Sequence, residues 1–486
     1  MDRISRRRFL EDSVALLAAS AVPGSALAAH PARNRYVSPN ERIRIAVIGL
    51  NGRGMNHVDS YLTYPDVDLV AVCDPDTATF AKALKAADKA GKKAPETVVD
   101  IRKLLENKEI DAVSIATPNH WHSLAAIWAM QHGKDVYCEK PVSHNVSEGR
   151  RVVEVSRKLN RICQTGTQSR ASRGLREAMA YMHDGKLGKV SLARGLCYKR
   201  RKSIGKTEGP QHVPDTVDYD IWLGPAPVKP LRRASLHYDW HWQWDYGNGD
   251  LGNQGIHEMD KARWGLGQKA LPMHVVGLGG RFGYVDDGET PNTAVCIYDY
   301  GDQQLIFEVR GLETDKLAPV RSGLGAAVGN IFYGEKGVMV MPSYSDATAY
   351  DNDGNKVAEF HGGGDHFRNF LDAMRSRKRE DLYADIEEGH ISSALCHLGN
   401  VSYNLGEEVP FNAKTKAFGD DKAAYETFGR FEDHLAANGI DIKEGKYRLG
   451  KHLAFDPAHE KFVGDSHADH LLTREYRKGF EVPPKA

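Results

Sequence analysis

The chain has 486 residues, with 65 Lys+Arg against 65 Asp+Glu, so its formal net charge is zero. At 41% hydrophobic and 27% charged residues it has neither the low hydrophobicity nor the net charge of a disordered chain. Balanced charge excludes the basic excess that nucleic-acid binding draws on, and this length favours two domains over one. The six Cys (73, 138, 163, 197, 296 and 396) are scattered without a C-x-x-C, which argues against a disulfide scaffold and a zinc ribbon.

The N-terminus reads Ser5-Arg6-Arg7-Arg8-Phe9-Leu10, then an apolar stretch from Val14 to Val22, then Ala26-Leu27-Ala28. That order predicts a twin-arginine export signal over 1–28 and a periplasmic or otherwise exported protein. The apolar run is too short for a permanent membrane span. Removing residues 1–28 takes away four Arg and three acids and leaves 458 residues with a net charge of −1. Twin-arginine export moves folded proteins, so a tightly held cofactor is expected. Residues 29–40 have no periodicity and read as a linker.

Arg42 to Gly49 (RIRIAVIG) is the β-branched run of a buried parallel strand. It leads into Gly49-Leu50-Asn51-Gly52-Arg53-Gly54 and a helix from about Met55. In the G-x-G-x-x-G dinucleotide fingerprint, glycines tighten the turn and let the backbone approach a pyrophosphate at the helix N-terminus. Gly49 and Gly54 fill the first and third positions; Asn51 stands at the second, with Gly52 adding freedom. A second strand, Val67–Cys73, ends at Asp74, twenty residues after Gly54. An acid there accepts from ribose hydroxyls and repels a 2′-phosphate, which favours NAD over NADP.

A helix near Ile101–Glu106, a strand Ala112–Ala116, a helix 123–132, a strand Asp135–Cys138, a helix 147–159 and a strand Arg161–Thr165 follow. This alternation predicts a doubly wound parallel sheet. Ligands bind at the carboxyl ends of such strands, so Gly49–Gly54, Asp74, Thr117, Pro118, Asn119, His122, Glu139 and Lys140 should converge on one crevice.

The IGLNGRG turn, Cys73-Asp74-Pro75, Thr117-Pro118-Asn119-His120-Trp121-His122, Glu139-Lys140-Pro141 and Asn253-Gln254-Gly255-Ile256-His257 resemble, in order, the Gfo/Idh/MocA family of NAD(P)-dependent oxidoreductases. Gly166–Arg170 and a long C-terminal extension resemble its exported branch. The resemblance implies at Lys140 a catalytic Lys that contacts both the substrate and the nicotinamide ribose. It also implies a proton-transfer pair, D-x-x-x-H in the family, that falls here on Asn253 and His257. Asn cannot stabilise an imidazolium as a carboxylate would, so His257 should be less basic, or orient a hydroxyl. Asp250 or Asp260 could supply the missing charge. Arg170 joins the expected substrate contacts. Independently of the resemblance, oxidising an alcohol requires hydride loss to nicotinamide and proton loss to a base, and His257 and a desolvated Lys140 suit the second task.

After Thr167 the alternation ends. Gly188–Tyr198, His274–Phe282, Thr293–Tyr300, Gln304–Gly311 and Ile331–Met341 read as strands of a mainly antiparallel open sheet, with a hairpin turn at Tyr300–Gln303. Helices return at about 364–377 and 385–404. The domain reading is therefore an NAD-binding Rossmann domain at 41–165, an α+β substrate and oligomerisation domain at 166–406, and a C-terminal extension at 407–486. The extension is polar, His-rich and without long apolar periodicity. A homo-oligomer, paired through the exposed sheet face, is expected by resemblance.

Trp222, Tyr238, Trp240, Trp242, Trp244 and Tyr246, interleaved with His237 and His241, form an aromatic cluster before the His257 motif. Such rings stack on sugar C–H faces, so Trp242 and Trp244 are candidate substrate contacts; an aromatic plug between domains is the alternative. The basic run Lys199–Lys206 could meet an acidic sugar or be a solvated loop. His120-x-His122 and His237-x3-His241 have zinc-compatible spacings but no evident third ligand, so no metal is expected. The function expected is hydride transfer on a carbohydrate or polyol. The alternative is an NAD-dependent glycosidase in which oxidation, elimination, water addition and reduction leave no net redox change. Family members of the latter kind carry Val where this chain has Lys140. A non-catalytic sugar-binding protein ranks last.

Overall fold

The computed structural model describes residues 41–314, 318–319, 325–411 and 415–485; the predicted signal at 1–28 and linker at 29–40 lie outside them. Arg42–Ala486 forms one compact unit.

The first sheet has six parallel strands: β1 (Ile43–Ile48), β2 (Val67–Cys73), β3 (Glu96–Val98), β4 (Ala112–Ile115), β5 (Asp135–Cys138) and β6 (Cys163–Thr165), in the order β3-β2-β1-β4-β5-β6. Both faces are covered, which is why these strands read as nearly continuous apolar runs. On one face lie α1 (Arg53–Thr63) and α2 (Phe80–Lys89). On the other lie α3 (Ile101–Glu106), α4 (Asn119–Gln131) and α5 (Val146–Lys158). β3 is too short and polar (Glu-Thr-Val) to have been recognised in the sequence.

Helix α6 (Arg173–His183) leads to the second sheet, which has twelve strands. Its centre is β7 (Val190–Tyr198), flanked by β10 (Gln304–Arg310), with β8 (His274–Gly280) and β9 (Thr293–Asp299) beyond β10. All pairings are antiparallel except β7 with β10. Between β7 and β8 run the short helices α7 (Tyr219–Leu223) and α8 (Gly249–Gly252) and the buried helix α9 (Gly255–Leu266), which packs on β7. The turn at Tyr300–Gln303 forms as expected: Tyr300 N–H donates to the Gln303 carbonyl at 2.9 Å.

The expected strand Ile331–Met341 is instead a hairpin, β11 (Val328–Gly334) and β12 (Gly337–Met341), turned by Glu335-Lys336 between two glycines and paired antiparallel. β13 (Ala347–Asp351) and β14 (Lys356–Phe360) extend that edge.

Helix α10 (His366–Ser376) then returns to the first sheet, its Phe367, Phe370 and Leu371 packing with Ile45 and Val47 of β1. The long helix α11 (Ile386–Asn404) packs between α5 and β8. The tail is more ordered than its polarity suggested. α12 (Lys422–Ala437) buries Ala424, Phe428, Phe431 and Leu435, an apolar stripe at helical spacing, against Val276, Val295, Ile297 and Ile306 of β8, β9 and β10. This part of the sheet face is covered by the chain's own tail. β15 (Glu407–Pro410), β16 (Lys446–Leu449), β17 (Leu453–Asp456) and β18 (Lys461–Phe462) complete the sheet beside β8. Phe480 packs edge-on against Trp121 of α4, ring centroids 5.7 Å apart.

Candidate active site

A crevice opens at the carboxyl ends of β1, β2, β4 and β5, where doubly wound sheets bind ligands. Two adjoining pockets of about 690 and 900 Å³ form it, sharing Asn51, Ala116, Thr117, His237 and Trp240. The first contains Gly49, Leu50, Asp74, Pro75 and Pro118; the second contains Gly52, Arg53, Asn119, His122, Glu139, Lys140, Asn253 and His257.

The glycine turn is shaped for close backbone approach. A Cβ on Gly54 would stand 1.8 Å from the Gly49 carbonyl oxygen, so this glycine lets α1 pack on the strand end. Gly52 adopts φ +57°, and a Cβ there would meet nothing within 4 Å. The turn thus tolerates Asn51 because Gly52 takes the left-handed conformation. Asp74 accepts from the Leu50 N–H at 2.7 Å and the Asp76 N–H at 2.9 Å. Burial, against these donors, raises its carboxyl to about 6. The donor set fits a dinucleotide. The glycine turn faces open space, Asp74 can still accept at its end of the crevice, and the buried Thr117 Oγ1, which lines both pockets, has no protein partner.

In the second pocket, Lys140 Nζ donates to the main-chain carbonyl of Asn253 at 2.9 Å. Burial lowers the Lys140 pKa, while the adjacent Glu139 opposes that. Glu139 is itself buried but is held well below the usual carboxylate range by Arg53 (2.8 Å) and His57 (3.1 Å). Burial, reinforced by Lys140, depresses His257 strongly, so it is neutral at ordinary pH; its Nδ1 has no protein partner. A neutral imidazole beside a partly desolvated ammonium can take a hydroxyl proton and orient the same oxygen. His122 is fixed between the Thr117 and Pro141 carbonyls at 2.8 and 2.6 Å. Asn119 Nδ2 donates to Asn248 Oδ1 at 2.9 Å.

Three expected substrate contacts stand elsewhere. Arg170 is buried and clamps Asp260 at 2.9–3.0 Å, with Glu388 at 3.0 Å, so it ties α9 to α11 rather than facing the crevice. Trp242 is buried under the Arg201 guanidinium, 5.4 Å from its ring centre. Trp244 lines a different groove. The Tyr and Trp residues of the second pocket are Tyr238 and Trp240. Neither Asp250 nor Asp260 supplies His257 with charge, because Asp250 is held by Arg201 at 2.6 Å and Asp260 by Arg170. Within the basic run, Arg201 makes that bond and Lys199 meets Gln254 at 3.1 Å. His120 Nε2 lies 3.0 Å from the Trp222 carbonyl and His237 Nε2 2.7 Å from Asp76 Oδ2, so these imidazoles have protein partners; no group of three or more metal-binding side chains occurs among the described residues.

The sequence reading missed His57 and Glu258. His57, on the helix after the glycine turn, shows no motif. Glu258 follows His257 directly; it is fully buried, and burial lifts its carboxyl to about 7 against the pull of Lys261. The helix that carries it buries every residue but Trp264, four charged residues (Glu258, Asp260, Lys261, Arg263) among them, a burial the sequence does not display.

A strap, residues 216–240, lies along the crevice. Thr77 N–H donates to the Thr216 carbonyl at 3.0 Å, Asp218 N–H to the Pro75 carbonyl at 2.8 Å, and Trp121 Nε1 to the Trp222 carbonyl at 3.0 Å. Ile221, Trp222, His237 and Trp240 of this segment line the Asp74 side.

Residues 43–167 match the NAD-binding Rossmann fold of the Gfo/Idh/MocA oxidoreductase family, and residues 185–432 match its C-terminal alpha/beta domain. A glycosyl hydrolase family 109 protein of Saccharopolyspora erythraea is 30% identical over 206 residues, 39% of this chain and 45% of its own length. The chain thus spans under half of that relative. An inositol 2-dehydrogenase of Rubrobacter xylanophilus is 26% identical over 318 residues, 63% of this chain and 74% of its own. The WlbA dehydrogenase of Bordetella pertussis, solved with NADH and UDP-GlcNAcA, superposes with a TM-score of 0.53 at 20% identity, over 73% of this chain and 94% of its own; that likeness concerns the fold. With matches running from the glycine turn through the second sheet, this chain belongs to the Gfo/Idh/MocA oxidoreductase family.

Proposed function

We propose that the protein is an NAD-dependent oxidoreductase that acts on a secondary hydroxyl of a carbohydrate or polyol and keeps its cofactor bound between turnovers. The observation that carries this reading is one crevice lined by both the glycine turn and Lys140, Asn253 and His257. Bound NAD supplies the hydride acceptor. Neutral His257 takes the hydroxyl proton, Lys140 holds the same oxygen, and Tyr238 and Trp240 offer ring faces to the substrate. The roles of Gly49, Asn51, Gly52, Arg53, Gly54 and Asp74 toward the dinucleotide are proposals of the same reading. NAD rather than NADP is favoured because no Lys or Arg is among the residues lining the Asp74 end, so a 2′-phosphate would meet the Asp74 carboxylate with no lysine or arginine to offset it. Retention is favoured by the strap over that end. Export through the twin-arginine signal at Ser5–Leu10 fits retention, since a released cofactor would leave the cell's NAD pool. A homo-oligomer, if formed, must use surface other than the face under α12.

A second reading, glycoside cleavage with no net redox change, is favoured by the glycosyl hydrolase family 109 relative and opposed by Lys140. The protein, purified and denatured, should release NAD(H) absorbance. Given free sugars, polyols and aryl glycosides, it should oxidise or reduce a free sugar or polyol. Aryl-glycoside cleavage without net NADH, and no action on free sugars, would move the assignment to the second reading.

A further inference from the structure

We infer that the chain carries a second saccharide site, separate from the crevice, which takes a neutral sugar ring. A groove of about 840 Å³ is lined by His144, Asn145, Trp244, Asn248, Asn400 and Arg474, among others, and shares no lining residue with either crevice pocket. Asn145, Asn248 and Asn400 are all more than nine-tenths buried. Buried amides persist where their several donors and acceptors find partners. Asn248 is committed to the protein: Nδ2 donates to the His144 carbonyl at 3.0 Å, and Oδ1 accepts from Asn119. Asn400 gives one amide proton to the Asn248 carbonyl at 3.1 Å. His144 Nδ1 accepts from Arg474 at 3.2 Å, which holds the guanidinium at the groove wall beside the imidazole.

The wall therefore presents the rest of the Asn400 amide and the Arg474 guanidinium beside the half-buried indole of Trp244. Vicinal ring hydroxyls satisfy such a set while a C–H face lies on the indole. Asp245 and Glu475 also line the groove and outnumber Arg474, which disfavours an anionic ligand. The sequence marks Trp244 as a sugar-stacking residue, and this groove is where it stands. The Asn119–Asn248 bond links the groove to the crevice, because Asn119 lines the second pocket.

The site stands on its own lining and does not depend on the reaction assigned to the crevice. To test it, the full chain with its cofactor is titrated calorimetrically with D-glucose, D-galactose, N-acetyl-D-galactosamine and myo-inositol. At least one probe should bind in an event that Trp244→Leu and, separately, Asn404→Ala at the exposed rim weaken about tenfold or more. The same event should be unchanged in His257→Ala. If no probe shows an event sensitive to both groove variants, or if that event also disappears with His257→Ala, the second site is overturned.

Discussion

Lys140 Nζ reaches the main-chain carbonyl of Asn253 at 2.9 Å, not its side chain. The contact therefore survives the presence of Asn where the family carries Asp. What Asn253 changes is charge: Lys140 and His257 share a buried pocket whose main compensating carboxylate, Glu139, is already engaged by Arg53 and His57.

Restoring the acid should make this visible. A carboxylate within about 4–6 Å raises the pKa of a cationic acid by about 1–3 units. Asn253→Asp is expected to move the acid limb of the kcat/KM profile upward by about one unit, because His257 then holds its proton to higher pH. Asn253→Ala should leave the limb in place; a matching shift in that variant would contradict the charge argument.

Lys140→Met should lower kcat by about 10²–10⁴. Cofactor content, read from absorbance after denaturation, should stay unchanged, since Lys140 meets the substrate side of the crevice. Full activity in this variant would remove Lys140 from the reaction.

Asp74 gives a pH dependence of cofactor affinity. Its carboxyl is raised to about 6 by burial, so it is ionised above that pH and protonated below it. Ribose hydroxyls need the ionised acceptor, so NAD affinity should fall as pH drops through 6. Asp74→Asn should bind NAD more weakly at pH 8 and show a flat profile between pH 5 and 8, measured by equilibrium dialysis.

The strap is latched where His237 Nε2 lies 2.7 Å from Asp76 Oδ2. His237→Ala should speed NAD dissociation by about tenfold, the scale of one charge-assisted bond. Loss of bound NAD on repeated gel filtration reads this directly; retention equal to the parent protein would show that the latch does not hold the strap.

Arg170→Met tests the reassignment of that residue. It leaves Asp260 as a buried carboxylate short of a partner, which costs about 3–5 kcal/mol and a lowered Tm. Substrate KM should stay close to that of the parent. Glu388 belongs to the same cluster: burial raises its pKa, but Arg170 and Arg263 outweigh this and hold it at about 2, below the usual 4.5. Its stabilisation is thus present above pH 4.5 and fades as pH falls toward 2, and Arg170→Met should flatten that acid limb in thermal melts.

The parallel sheet was legible because its strands are buried on both faces and so read as mostly apolar runs, from Ile43–Ile48 to Asp135–Cys138. The crevice was legible because strand ends, glycines and Asp74 are fixed by local backbone geometry and short spacings. Charge pairing was not. Whether Arg170 and Asp260 meet substrate or each other, and whether Asp250 meets substrate or Arg201, depends on the packing of segments that are distant in sequence. The aromatic cluster divides for the same reason: Trp240 faces the crevice, Trp242 is buried and Trp244 lines a second groove, although the three alternate in one short segment. Sequence determined which chemical groups are present and the strand ends that gather most of them; tertiary packing decided which are free to meet a ligand, because burial beside an opposite charge commits a side chain that composition alone leaves available.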